Sequence, residues 1–224
     1  MVESRAQRIL QKLQIVFGIP EHHFPNSNSF KILITTIISQ NTSDTNTEKA
    51  VENLSKEFMI EPVVLANASS VRIEECLKVA GLYKIKTKVI KRVSRVILEQ
   101  YEGSLDTILS LPLEEARESL LKLSGIGSKT ADVVLLFAAG KPTIPVDTHV
   151  NRVSKRLGLV DPRADYEAVR TSLQMLYDPR DYFHIHVLLI MHGRKWCKAR
   201  NPLCDRCPIN EFCQCALHRR QVTK

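Results

Sequence analysis

Four thiols fall within 17 residues of this 224-residue chain, Cys197, Cys204, Cys207 and Cys213, in the pattern Cys-x6-Cys-x2-Cys-x5-Cys. Four unrelated buried thiols do not crowd in this way, so the set reads as a metal site. Zinc ribbons usually present two separated Cys-x2-Cys knuckles. A single Cys-x2-Cys with a wider arm on either side suits a loop wrapped round a bulky iron–sulfur cluster better, and zinc is the second reading. Cys215 and Cys76 fall outside the set and read as bystanders. Arg194, Lys195, Lys198, Arg200 and Arg206 stud the same stretch, against Asp205 and Glu211. A metal that fixes such a basic loop in shape makes it a phosphate-contact device.

A second constellation lies at Leu123-Ser124-Gly125-Ile126-Gly127-Ser128-Lys129-Thr130-Ala131. Two helical patterns flank a Gly-x-Gly turn. Glycine takes positive φ and lets backbone N–H groups approach an anion with no Cβ in the way. The helix that follows adds its unpaired N–H groups and the positive end of its dipole. Such a turn grips a phosphate without reading sequence, or else simply turns the chain between two helices. Lys129 beside it has three readings: a phosphate contact, a solvated charge, or a nucleophile. A lysine attacks only as the neutral amine, and a helix N-terminus with nearby cations disfavours its ammonium form.

The third candidate is Asp147, in Ile144-Pro145-Val146-Asp147-Thr148-His149. It stands at or beside a helix N-cap after a proline-stiffened turn. A capping Asp contributes about 1 kcal/mol. A carboxylate held at a fixed point also stabilises developing positive charge or moves a proton. His149 reads as structural.

The elements that position these groups are helical. Apolar residues recur at helical spacing over Val2–Phe17, Lys84–Tyr101, Leu113–Leu123 and Thr130–Ala139, and again over Thr148–Leu157, Tyr166–Tyr177 and Tyr182–His192. Shorter helices are expected near Pro62–Ala66 and Val71–Ala80. Residues 29–40 contain the β-branched run Ile34-Thr35-Thr36-Ile37-Ile38, which suits a strand, but their apolar spacing and helical neighbours predict a helix. Asp44 or Thr45 is the expected cap of the next one. The chain has 8 Gly, about half of average usage, and 13 aromatics. That composition argues against an all-β sandwich or barrel, so the expected class is all-α. The apolar runs are too short to span a bilayer, and no signal-peptide pattern opens the sequence. The cysteines are therefore expected to be reduced, in a cytoplasmic protein.

Charge is uneven. Residues 1–115 carry 14 basic and 14 acidic side chains, while residues 116–224 carry 18 and 10, the whole of the +8 excess. Such asymmetry suggests an anionic partner, with solubility alone as the plain alternative.

Hairpin, Val-Asp-Thr-His segment and four-Cys loop, in this order, resemble endonuclease III of the helix-hairpin-helix DNA glycosylases. The resemblance runs from about residue 5 to the last of the four Cys. It implies two helical domains flanking a DNA-binding cleft, a six-helix domain over 23–133 and a second made of 1–22 and 134–224 with the cluster loop 197–213. It implies a [4Fe-4S] cluster on Cys197, Cys204, Cys207 and Cys213, and a monomer acting on duplex DNA that contains a damaged base or an abasic site. The implied reaction is base excision followed by strand nicking. Lys129 matches the nucleophilic lysine, Asp147 the essential carboxylate, and Gly125 and Gly127 the phosphate grip. Leu82 resembles the apolar wedge that fills the gap left by a flipped base, although an ordinary core leucine reads equally well there. Asn41 aligns with a gap-filling glutamine, and the neighbouring Gln40 is the other candidate. Ser124 stands where the family often has proline. The presence of Lys129 favours a bifunctional enzyme acting on oxidised or otherwise damaged pyrimidines. The alternatives are mismatched thymine or uracil, a modified cytosine, or a non-catalytic DNA-binding module with a structural metal site.

Overall fold

A computed structural model describes residues 4–21 and 28–217. Among these residues every regular element is helical, and no helix is long and apolar enough to cross a membrane. The chain divides between residues 23 and 24 and between 141 and 142 into two compact units. One contains both ends of the chain and the other its middle.

Helix α1 (Arg5–Phe17) belongs to the first unit. Ser4 caps it by accepting from Gln7 N–H, and Ile9, Leu10 and Leu13 form its buried stripe. The middle unit follows with α2 (Ser29–Ile38), α3 (Asp44–Glu57), α4 (Pro62–Asn67), α5 (Ser70–Leu77), α6 (Tyr83–Gln100), α7 (Asp106–Leu109), α8 (Leu113–Lys122) and α9 (Ser128–Ala139). A 3-10 turn, Lys78–Ala80, joins α5 to the loop before α6.

The β-branched run folds as helix α2. Asn28 starts it by accepting from the N–H groups of Phe30 and Lys31. Phe30, Leu33, Ile34, Ile37 and Ile38 are all buried, so this helix is the centre of its core. Tertiary burial outweighs the weak β preference of the run. The cap of α3 is Ser43, which accepts from Asn46 N–H, and not Asp44 or Thr45. A cap residue needs extended backbone, which Ser43 has, whereas Asp44 is already helical and supplies negative charge to the first turn.

The unit contains six α-helices of eight residues or more, with α4 and α7 as shorter turns between them. Its second boundary falls at 141/142 and not at the expected 133/134. A cut at 133 would divide α9, whose Val134 and Leu135 pack in the same core as Leu33 and Leu120. Helix α9 ends at Gly140, in the left-handed region, and Lys141 Nζ donates to Leu111 O at 2.7 Å.

The first unit resumes with α10 (Thr148–Leu157), α11 (Tyr166–Leu176) and α12 (Tyr182–Lys195), then two 3-10 turns, Cys204–Arg206 and Asn210–Phe212. Helix α1 packs here through Ile9, Leu10 and Leu13 against Val150, Val153, Ile185 and Leu189. Arg5 donates to Gly158 O and Phe212 O, and the Arg8 guanidinium lies over the Phe212 ring.

Helices α8 and α9 are locked by a buried ion pair. Arg117 donates from Nε to Asp132 Oδ1 at 2.9 Å and from Nη2 to Oδ2 at 3.2 Å. Removing one partner strands a buried charge. Arg117→Met should therefore lower stability by about 3–5 kcal/mol, while Arg117→Met with Asp132→Leu should cost much less. Urea unfolding of both variants checks the order.

Candidate active site

The turn between α8 and α9 is built as the sequence suggests, but its two glycines do different work. Ile126 N–H closes it onto Leu123 O at 2.9 Å, and Leu123 and Ile126 are buried anchors. Gly125 is the third residue of this turn, at φ +96°, as a type II turn requires. A Cβ there would lie 2.7 Å from both methyls of Val89 on α6. Gly127 has ordinary extended backbone, φ −99°, and caps α9 without a side chain. A Cβ on it would meet nothing within 4 Å, so its bareness leaves the approach to the first turn of α9 open. The N–H groups of that turn have no acceptor inside the helix.

Ser124 occupies the turn position at which proline is favoured. Here the turn gains a different brace: Arg92 of α6 donates from Nη1 to Ser124 Oγ at 2.6 Å. Lys129 is half-buried in the first turn of α9. Its neighbour Thr130 is buried and accepts from Gln40 Nε2 at 3.2 Å.

The two candidates in the 39–44 loop stand in different surroundings. Gln40 is half-buried and engaged with α9, while Asn41 is exposed and sits at φ +53°. Asparagine tolerates the left-handed region better than most residues, which suits it to an outward kink.

Leu82 is not a core leucine. It is 51% exposed and lies in the left-handed region, φ +51° and ψ +23°. A leucine there costs on the order of 1–2 kcal/mol, and such strain collects at functional positions. Ile85, 60% exposed, extends the same apolar surface. The core reading is thus replaced by an exposed apolar tip.

Asp147 belongs to the other unit. It caps α10, with Oδ1 accepting from Val150 N–H at 2.7 Å. The segment feeding it is buried at Thr143, Ile144 and Val146. Two side chains that the sequence left unassigned hold that segment. Tyr166 Oη accepts from Val146 N–H at 3.2 Å, and His186 donates from Nδ1 to Pro145 O at 2.8 Å. Neither carries a motif, so only tertiary packing reveals them. Asp147 lines a cleft of about 220 Å³ with Asn151, Asp165 and Tyr166. Asp165 caps α11 by accepting from Ala168 N–H. His149 is structural, packed where α10 and α12 approach at Gly193; a Cβ on Gly193 would lie 2.9 Å from His149 Nδ1.

The four thiols line one cavity with Arg156, His192, Trp196 and Leu203. Among the described residues no three His, Cys, Asp or Glu side chains converge to hold a single metal ion. A single cavity shared by all four thiols suits a loop wrapped round a bulky cluster. Arg156 donates from Nη1 to Cys197 Sγ at 3.5 Å, and His192 Nε2 lies 3.7 Å from Cys207 Sγ. Burial pushes the Cys207 thiol up to about 11, so bound iron is what would make it a thiolate at neutral pH. Arg152 donates to Cys197 O, and Arg156 to Lys198 O and Ala199 O, so α10 holds the start of the loop. Cys215 also lines the cavity but is exposed. Cys76 packs against the core of the middle unit.

Residues 34–179 match the family model described as HhH-GPD superfamily base excision DNA repair protein. Residues 197–213, the span of the four Cys, match the iron-sulfur binding domain of endonuclease III. Endonuclease III of Thermotoga maritima is 35% identical over 215 residues, 96% of this chain and 92% of that one. Endonuclease III of Escherichia coli is 32% identical over 214 residues, 96% of this chain and 97% of that one. A solved structure of a trapped endonuclease III–DNA covalent intermediate superposes with a TM-score of 0.83 at 29% identity, covering 98% of this chain and 100% of that one.

The two glycines give separable expectations. Gly125→Ala should lower stability by about 1–3 kcal/mol, because Val89 has to move. Gly127→Ala should cost only the loss of a favoured cap, about 0.5–1 kcal/mol. Both should weaken binding to duplex DNA. Thermal melts beside fluorescence anisotropy with a labelled duplex check the contrast.

Proposed function

The chain belongs to the endonuclease III family of the HhH-GPD superfamily, and we propose that it removes oxidised or otherwise damaged pyrimidines from duplex DNA and nicks the strand at the resulting abasic site. It is a DNA glycosylase with lyase activity, DNA is its partner, and it carries an iron–sulfur cluster. The observation that carries the finer reading is the placement of Lys129. It stands in the first turn of α9, directly after the Gly125–Gly127 turn that would hold the backbone phosphate.

In this reading the Lys129 amine attacks C1′ of the damaged nucleotide. The C1′–nitrogen bond to the base breaks, and the base leaves with the bonding pair and a proton. The sugar ring opens at its oxygen to give an imine between Lys129 and C1′. Loss of a C2′ proton then expels the 3′ phosphate by β-elimination, and water releases the lysine. The positive end of α9 favours the neutral amine needed for the first step. Asp147 stabilises the cationic sugar and carries protons, and its cap bond and buried anchors fix its carboxylate beforehand. The cost of flipping the base is a few kcal/mol. Leu82 fills the space left in the stack, and Asn41 faces the widowed base. Cys197, Cys204, Cys207 and Cys213 would hold the [4Fe-4S] cluster, which cross-links the loop and presents its basic residues to phosphate. A monomer suffices for this chemistry, and its chromosomal substrate puts it in the cytoplasm beside the nucleoid.

Borohydride reduction should trap a covalent complex between the protein and duplex DNA bearing an oxidised pyrimidine. Lys129→Gln should abolish the trap while leaving duplex binding in place; an undiminished trap would assign the nucleophile elsewhere. A lesion-panel cleavage assay separates damaged pyrimidine from mismatched thymine or modified cytosine. Affinity should fall steeply with salt, because each phosphate contact releases counterions, and a flat response in anisotropy titrations would count against this interface.

A further inference from the structure

Lys86 is a lysine that the chemistry above leaves unused. It sits in the first turns of α6, four residues after Leu82, and is only 3% exposed. Its ammonium donates to Ala80 O at 2.8 Å. Its backbone N–H donates to Leu82 O at 3.0 Å. One residue thus clamps the loop on both sides of Gly81–Leu82.

The loop needs such a clamp. Gly81 and Leu82 are consecutive residues at positive φ, +66° and +51°. For leucine that conformation is disfavoured unless the surroundings over-determine it. Ala80 ends the 3-10 turn Lys78–Ala80, whose last carbonyls point out of the helix and need donors. An apolar side chain would fill the same space as the lysine stem but would leave Ala80 O without this bond. Burying an ammonium is costly, and burial indeed lowers the Lys86 pKa from its ordinary value. Its burial also leaves it no access to a sugar, so it is not a second nucleophile.

We propose that Lys86 is a positioning residue for base extrusion: by tying Ala80 O to α6 it holds Leu82 in the projected conformation before DNA arrives. The proposal rests on the reading of Leu82 as the residue that enters the stack. Without the clamp the loop relaxes towards conformations in which Leu82 no longer projects, and each flipping event has to order it again.

The test is a double-mutant cycle on the full-length, cluster-loaded protein. Single-turnover excision is measured on a duplex with one thymine glycol, and 2-aminopurine beside the lesion reports unstacking. Leu82→Ala and Lys86→Met should each slow excision about tenfold, the scale of one disfavoured backbone state. Both should lose the 2-aminopurine rise. The double variant should be no slower than Leu82→Ala alone, because Lys86 acts through Leu82. If Lys86→Met excises at the wild-type rate, or if the two losses multiply, the clamp is wrong. A Lys86→Met that fails to fold is replaced in the same cycle by Lys86→Leu, which also lacks a donor for Ala80 O, and the same outcomes decide. Wild-type protein that excises nothing from any lesion defeats the proposed function itself. Wild-type excision with an undiminished Leu82→Ala defeats the wedge and the clamp together.

Discussion

Gly125 and Val89 approach so closely that no side chain fits between them, and much of the candidate site in the middle unit depends on that contact. It seats the Gly-x-Gly turn directly on α6. The same helix braces Ser124 through Arg92 and the Leu82 loop through Lys86. Lys86, Val89 and Arg92 are three residues apart in sequence, so together they span about 9 Å of helix rise. A rigid α-helix therefore fixes the setting of both the 123–126 turn and the Leu82 loop. Fixing it in the free protein removes an ordering cost from each binding event.

The other unit follows the same plan around α10. Its first residue is preceded by Asp147, and its later turns carry Arg152 and Arg156, which bind the chain from Cys197 to Ala199. One helix thus presents the carboxylate at its N-terminal end and holds the start of the thiol loop further along. The thiol loop is further tied to α1 through Arg5 and Arg8 at Phe212.

The chemistry-bearing residues were legible because their signals are local. Four thiols at short spacing, a Gly-x-Gly turn and an Asp after proline are all readable within a few positions. Helices of strong period were legible for the same reason. What the sequence hid was long-range or conformational. Leu82 read equally well as core or wedge, since one-dimensional pattern carries no information on backbone φ. Gln40 and Asn41 differ through a bond from Gln40 to Thr130, 90 residues away. Tyr166 and His186 lie in ordinary helical patterns and gain their role only by reaching back to 145–146. Ser124 stands where proline is often found, and its brace comes from Arg92, 32 residues earlier.

Charge summed over halves of the chain misled in one respect. The first half is neutral in total, yet α6 holds Lys84, Lys86, Lys88, Lys91, Arg92 and Arg95 against Glu99. Three of these six serve the fold: Lys86 binds Ala80 O, Lys91 binds Ala68 O and Arg92 binds Ser124. Lys84, Lys88 and Arg95 are exposed on the helix that carries both the turn and the wedge loop. Attraction for phosphate depends on charge within roughly a Debye length, about 8–10 Å, and not on totals over a hundred residues. The neutral half therefore contributes positive charge where it counts, and the acidic residues that cancel it in the sum lie largely on other helices, α3, α5 and α8 among them.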